Sequence, residues 1–173
     1  MDLGSNGPSW NGRVVSLHVC NEAAEPMTEV PTVTAVAGRG IAGDRYFRGT
    51  GFYSDRPGPD RELTLLELET IDALRQEHRI ELEPGEARRN VITRGVPLNH
   101  LVHREFAIGQ VIARGIRLCE PCTHLVEVTG RRLLGPLVHR GGLRAQIVKG
   151  GRINVDDVVS PLSEAGPDPG AYG

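Results

Sequence analysis

Short β-branched stretches, each cut off by glycine or proline within a few residues, constrain the fold of this chain more than any other feature. Arg13 to Val19 and Val30 to Val36 alternate with the period of a strand, and the polar, proline-containing run from Asn21 to Met27 separates them. Glu62 to Leu66 forms a further short strand, and Glu86 to Thr93 leads two arginines and an asparagine into another. Phe106 to Ile108 and Val111 to Leu118 are joined near Gly109, with Gly115 marking a bulge or second turn. Ala145 to Lys149 and Arg152 to Val159 flank Gly150-Gly151, a two-residue hairpin signal. Many short strands at close spacing predict a mainly β domain with a few short helices and a barrel-like core.

One segment is clearly helical. Thr64-x-x-Glu67 has the form of a capping box opening a helix through about His78, with Leu65, Leu68, Ile71 and Leu74 as its buried stripe. Glu67, Glu69, Asp72, Arg75 and Glu77 then face outward as a solvated surface. Arg131 to Val138 is expected to form a short helix despite Pro136. Residues 1–12 are a Gly/Asn/Ser/Pro lead-in with little to bury except Trp10, residues 13–162 make a single domain, and the Gly/Pro-rich tail 163–173 is expected to be disordered.

At 173 residues the chain can bury a core without disulfides or metal. A net charge of -2 gives no electrostatic reason to expect nucleic acid or an anionic membrane as the main partner. The first residues lack the basic and apolar regions of a leader, and no run approaches the roughly 18 apolar residues of a membrane span, so a cytoplasmic protein is expected. Three cysteines, an odd number, fit free or liganded thiols in a reducing compartment.

Chemistry is expected at Arg117-Leu118-Cys119-Glu120-Pro121-Cys122-Thr123-His124, which sets two thiols in a C-x-x-C beside proline and histidine. The thiolate is the nucleophile and soft-metal ligand, and cations such as Arg117 and His124 favour it. Pro121 ends extended pairing, leaving Cys122 at a strand-to-turn junction from which its side chain could enter a cleft. The C-x-x-C alone also fits a reversible Cys119–Cys122 disulfide in a non-catalytic redox-sensing module, a zinc site completed by His124 or His139, or plain core packing. Cys20, with no second cysteine or basic neighbour in sequence, reads as a small core residue.

Three segments carry residues suited to an anion. Gly38 to Phe47 combines glycines that let backbone N–H groups converge with the charges of Asp44 and Arg45, and is either a ligand-facing loop or a surface loop held by an internal Asp–Arg pair. Arg88 and Arg89 precede Asn90, and one of the pair is either an oxyanion clamp or a surface partner of Glu83 or Glu86. His139 to Arg144 is a Gly/Arg/His segment that supplies Arg140 and Arg144.

The order Gly40-Ile41-Ala42-Gly43-Asp44-Arg45, Glu62-Leu63-Thr64-Leu65-Leu66-Glu67, Arg88-Arg89-Asn90, Phe106-Ala107-Ile108-Gly109 and Cys119-Glu120-Pro121-Cys122 resembles a MOSC domain, named after the C-terminal part of molybdenum cofactor sulfurase. The similarity runs from about Arg13 to Val159. It implies a β-barrel-rich fold and either binding of a molybdenum–pterin cofactor or handling of its sulfur. The family's characteristic cysteine corresponds to Cys122, as a molybdenum ligand or as a carrier of persulfide sulfur. Asp44, Arg45, Arg88, Arg89, Asn90, Arg140 and Arg144 become the implied cofactor or phosphate contacts. Tyr46 stands where many relatives carry histidine. Without an aminotransferase-like part the chain is not expected to bind pyridoxal phosphate, so a sulfur donor must be external. Reduction of an N-hydroxylated substrate is the catalysis the resemblance implies, and it would need an outside electron-transfer partner.

Overall fold

A computed structural model describes residues 8–162. The extended elements are β1 (Gly12–Val19), β2 (Thr28–Val30), β3 (Thr32–Val36), β4 (Gly40–Ile41), β5 (Leu63–Glu67), β6 (Val91–Arg94), β7 (Glu105–Ile108), β8 (Val111–Leu118), β9 (Leu143–Lys149), β10 (Gly151–Asn154) and β11 (Val158–Pro161). Three helices accompany them: α1 (Arg45–Arg48), α2 (Leu68–His78) and α3 (Thr123–Thr129).

The main sheet runs β11-β7-β8-β9-β5-β6-β1-β2, and a further pairing of β11 with β1 closes seven of these strands into a barrel. Closure consumes both edges, so the barrel strands leave no open ladder. One parallel pair, β5 with β6, is bridged by α2 as a crossover. Val14, Leu17, Leu63, Leu65, Val91, Phe106, Ile108, Val111, Leu143 and Ala145 fill the barrel, each fully buried. Trp10 packs against them from the lead-in. A second core lies between the barrel wall and the helices, formed by Leu66, Ile71, Leu74, Ile92, Leu125, Leu133 and Leu137. Alternation along β5 divides the two: Leu63 and Leu65 point into the barrel, whereas Leu66 meets the helix layer.

The bulge expected at Gly115 is present, as a register shift between Gly115 and Arg117 against β9. A Cβ there would meet the Leu101 carbonyl oxygen at 2.0 Å, so only glycine permits that approach. Other expectations change. The run from Val30 to Val36 divides at Pro31, which lacks the N–H to continue a ladder, so β2 joins the barrel sheet while β3 joins β10 and β4. Gly150-Gly151 is not a hairpin: Gly150 lies against the Ala35 carbonyl, and β10 leaves β9 to pair with β3, burying Ile153 beside Val33 and Ala35. Thr64 caps nothing, because β5 continues to Glu67 and α2 begins at Leu68 without a side-chain cap. Leu65 therefore belongs to the barrel and not to the helix stripe. Residues 131–138 form turns around Gly135-Pro136, although Leu133 and Leu137 are buried as a helical pair would be. The helix follows Cys122 instead, ending at Gly130 in the left-handed conformation. The predicted tail 163–173, and residues 1–7 of the lead-in, lie outside the described residues.

Candidate functional site

Cys122 is the residue immediately before α3, in extended conformation after Pro121, and it remains partly exposed. It lines a cavity of about 40 Å³ together with Arg45, Tyr46, Phe52, Tyr53, Thr64, Arg88, Arg89, His124, Leu125 and Arg144. Sequence-distant pieces meet here: α1, the loop after it, the start of β5, the approach to β6, the start of α3, and β9. The Gly38–Phe47, Arg88–Asn90 and His139–Arg144 segments thus converge on the cysteine stretch, as their residue types suggested.

Their arginines do unequal work. Arg45 is buried and donates to Asp44 Oδ1 at 3.1 Å, Met27 Sδ at 3.2 Å and the Arg88 carbonyl at 3.2 Å. Arg88 donates to the carbonyls of Glu25 at 2.7 Å and Ala23. Arg45 and Arg88 also both reach Cys20 Sγ at 3.6 Å. Cys20 is therefore the acceptor between two buried guanidiniums and not merely a small core residue; the basic neighbours are remote in sequence and could not be seen there. Arg89 donates Nε to the Gly141 carbonyl and Nη1 to the Ala87 carbonyl, both at 3.0 Å. These three side chains hold loops together. The surface pairing of Arg88 or Arg89 with Glu83 or Glu86 is not formed; Arg131 takes Glu86 at 2.9 Å.

Arg144 differs. It is 9 % exposed, and its Nε and Nη1 are buried without any partner. A buried donor left unpaired costs about 1–3 kcal/mol, more when charged, and Arg144 is the cavity guanidinium whose Nε and Nη1 no protein group takes. Arg144 lies 6.0 Å from the Tyr53 ring, which lines the cavity beside Cys122. The Cys122 thiol beside it, with burial, pushes the Tyr53 phenol up to about 12, so it stays protonated at neutral pH.

His124 stacks on Phe52 with ring centroids 4.0 Å apart and an interplanar angle of 14°. Burial, with Arg88 and Arg45 adding to it, lowers its pKa below the ordinary value, so at neutral pH it is an uncharged wall of the cavity and not the cation expected to activate the thiol. Arg117 is drawn away as well, to Asp60 at 2.8 Å. Phe52, Tyr53 and Thr64 were not legible as site residues: Thr64 lies in β5, and Phe52 and Tyr53 belong to a Gly/Pro loop that lines the cavity with Cys122.

The remaining expected residues sit elsewhere. Arg140 pairs with Glu77 at 2.5 Å and does not line the cavity. Asn90 is buried and structural: its Oδ1 accepts from Thr64 Oγ1 at 3.1 Å and Thr64 N at 3.3 Å, and its Nδ2 donates to the His18 carbonyl at 3.2 Å. Asp44 accepts from the Cys20 and Tyr46 backbone N–H groups as well as from Arg45, which is the internal Asp–Arg pair. Cys119 is 1 % exposed and ties its N–H to the Gly142 carbonyl at 2.7 Å, behind the cavity wall. Among the described residues, no three His, Cys, Asp or Glu side chains converge as for a metal ion, and no helix is long and apolar enough to cross a membrane.

The model of the MOSC domain family matches residues 53–160, well over half of the chain and inclusive of Tyr53, Arg88, Cys122 and Arg144. The chain belongs to the MOSC domain family. Solved structures agree with its fold. The YuaD protein from Bacillus subtilis superposes with a TM-score of 0.72 at 15% identity, covering 89% of this chain and 100% of that one. YiiM from Geobacillus stearothermophilus gives 0.69 at 12% identity, covering 88% of this chain and 75% of its own. YiiM from Escherichia coli gives 0.61 at 15%, covering 90% and 71%. No curated protein matches the chain at a significant level. At such identities these neighbours establish the barrel architecture of this MOSC domain, and its chemistry rests on its own residues.

Proposed function

We propose that this MOSC domain binds molybdenum cofactor, with Cys122 as the protein's thiolate ligand to the metal and Arg144 as the partner of the cofactor's phosphate. The observation that carries the reading is the pairing of an accessible thiol with a buried guanidinium that has two unfilled donors. A soft thiolate suits molybdenum, and a guanidinium fork suits a phosphate. The donor set therefore fits the group. At about 40 Å³ the cavity is smaller than a pterin, so it would hold only the part of the cofactor nearest Cys122 and Arg144.

When bound, the cofactor supplies two-electron redox chemistry. The chain's own residues orient and insulate it. Arg45, Arg88 and Arg89 fix the loops around the thiol; Cys122 would hold the metal, with Tyr53 beside it; neutral His124 and Phe52 would exclude water from one side. Reduction of an N-hydroxylated substrate, with electrons from a separate protein, is the catalysis this site would support. The test is the molybdenum and pterin content of protein purified from a host that makes the cofactor. Both should accompany the wild type, and molybdenum should be lost from Cys122→Ala. Absence of both from the wild type would refute cofactor binding.

A further inference from the structure

The cavity beside Cys122 has a chemistry of its own. Its volume of about 40 Å³ is the room of roughly three waters, since one water needs about 10–15 Å³. That is the scale of a single small tetrahedral anion. On one wall is the partly exposed thiol of Cys122, with Tyr53 on the same cavity; on another is Arg144, nine-tenths buried, with Nε and Nη1 unpartnered. Arg45, Arg88 and Arg89 are already engaged by carbonyls, a carboxylate and sulfur, so the anion's own partner is Arg144.

We propose that this cavity takes thiosulfate, with its sulfonate on Arg144 and its outer sulfur against Cys122, and that the outer sulfur is transferred to the cysteine. Phosphate and sulfate would fill the same cradle but offer the thiol nothing to attack. Thiosulfate combines an oxyanion head with an electrophilic sulfur, and so uses both groups that the cavity brings together.

The step balances without a further reagent. The Cys122 thiol first releases its proton to solvent. Its thiolate attacks the outer sulfur; a bond forms between Sγ and that sulfur, the sulfur–sulfur bond to the sulfonate breaks, and the bonding pair leaves with sulfite. One sulfur–sulfur bond replaces another, so no external oxidant is consumed, and Cys122 ends as a persulfide. Arg144 faces the oxygens on which the leaving charge gathers. The stacked Phe52 and His124 shield the product from water. This inference rests on Cys122 being the reactive thiol and is independent of cofactor binding.

The experiment treats the reduced full chain, purified without cofactor, with thiosulfate. Released sulfite and the mass of each cysteine-containing peptide are followed, with cyanide as the final sulfur acceptor. About one sulfite per chain, and one added sulfur on the Cys122 peptide alone, is the expected result. Cys122→Ser should abolish both. Arg144→Gln should raise the thiosulfate concentration at half-maximal rate about tenfold or more, the usual loss for a buried charged hydrogen bond. Alkylation of Cys122 by neutral iodoacetamide should change little in the same variant, which separates anion binding from general thiol reactivity and verifies folding. Inorganic phosphate should compete in the wild type. Persulfide on Cys20 or Cys119, absence of sulfite, or an unchanged thiosulfate dependence in a folded Arg144→Gln would each overturn the proposal. Because molybdenum and pterin content is measured separately, either reading can fail while the other stands.

Discussion

Replacing Arg144 with methionine should make the protein more stable while removing its anion site. Methionine keeps the apolar stem that packs in β9 and deletes the charged head. Each of the two orphaned donors carries a burial penalty of about 1–3 kcal/mol. Waters in a cavity of about 40 Å³ recover part of it, so the net gain is expected near the lower end, about 1 kcal/mol. Relief of repulsion among Arg45, Arg88 and Arg89 on the same cavity acts in the same direction. The assay is urea unfolding with and without phosphate. Without anion, Arg144→Met should unfold at higher urea than the wild type. Phosphate at 100 times its dissociation constant should add about 2.7 kcal/mol to the wild type and nothing to the variant. A variant destabilised by more than about 1 kcal/mol, or one that phosphate stabilises like the wild type, would refute the argument that Arg144 is held in readiness for a ligand.

Asn90→Ala removes three buried hydrogen bonds that join β5, β6 and β1, and should cost about 2–4 kcal/mol in urea unfolding; a loss under about 1 kcal/mol would show that Asn90 does not stitch the barrel. Burial, with Glu69 adding to it, pushes the Glu67 carboxyl up to about 7, so the folded state holds its proton more tightly than the unfolded chain. Its contribution to stability is full below the ordinary carboxylate range and is lost as pH rises through about 7; Glu67→Gln should flatten that part of the stability profile, and an unchanged slope would contradict the burial. Phe52→Ala uncovers the cavity and should speed alkylation of Cys122 several-fold without unfolding the barrel, whereas an unchanged rate would mean that Phe52 does not guard the thiol.

Strand periodicity carried much of the barrel, because interior and exterior residues alternate along β7 and β8, whereas a bulge between Val14 and Ser16 puts Val14 and Leu17 of β1 in the same core. It failed where long-range pairing decided the outcome. Gly150-Gly151 has the local form of a hairpin, yet burial of Ile153 on β3 outweighs it. Glu67 looked like part of an acidic helix face because the β5–α2 boundary lies at that residue, three positions later than the capping pattern indicated. In the site, Cys122 and the arginine segments were legible from residue type and order. Which arginine is available was not, since that depends on carbonyl oxygens contributed by Ala23, Glu25, Ala87 and Gly141, and every residue has a carbonyl. The same limit hid the aromatic cover: Phe52 and Tyr53 carry no motif, and only the fold brings them over Cys122.

The most direct test of the cofactor reading is molybdenum X-ray absorption on cofactor-loaded wild type and Cys122→Ser. A sulfur scatterer present in the wild type and missing from the variant, with oxygen or nitrogen in its place, is the predicted result. An identical sulfur shell in both proteins would contradict the assignment of Cys122 as the metal's ligand.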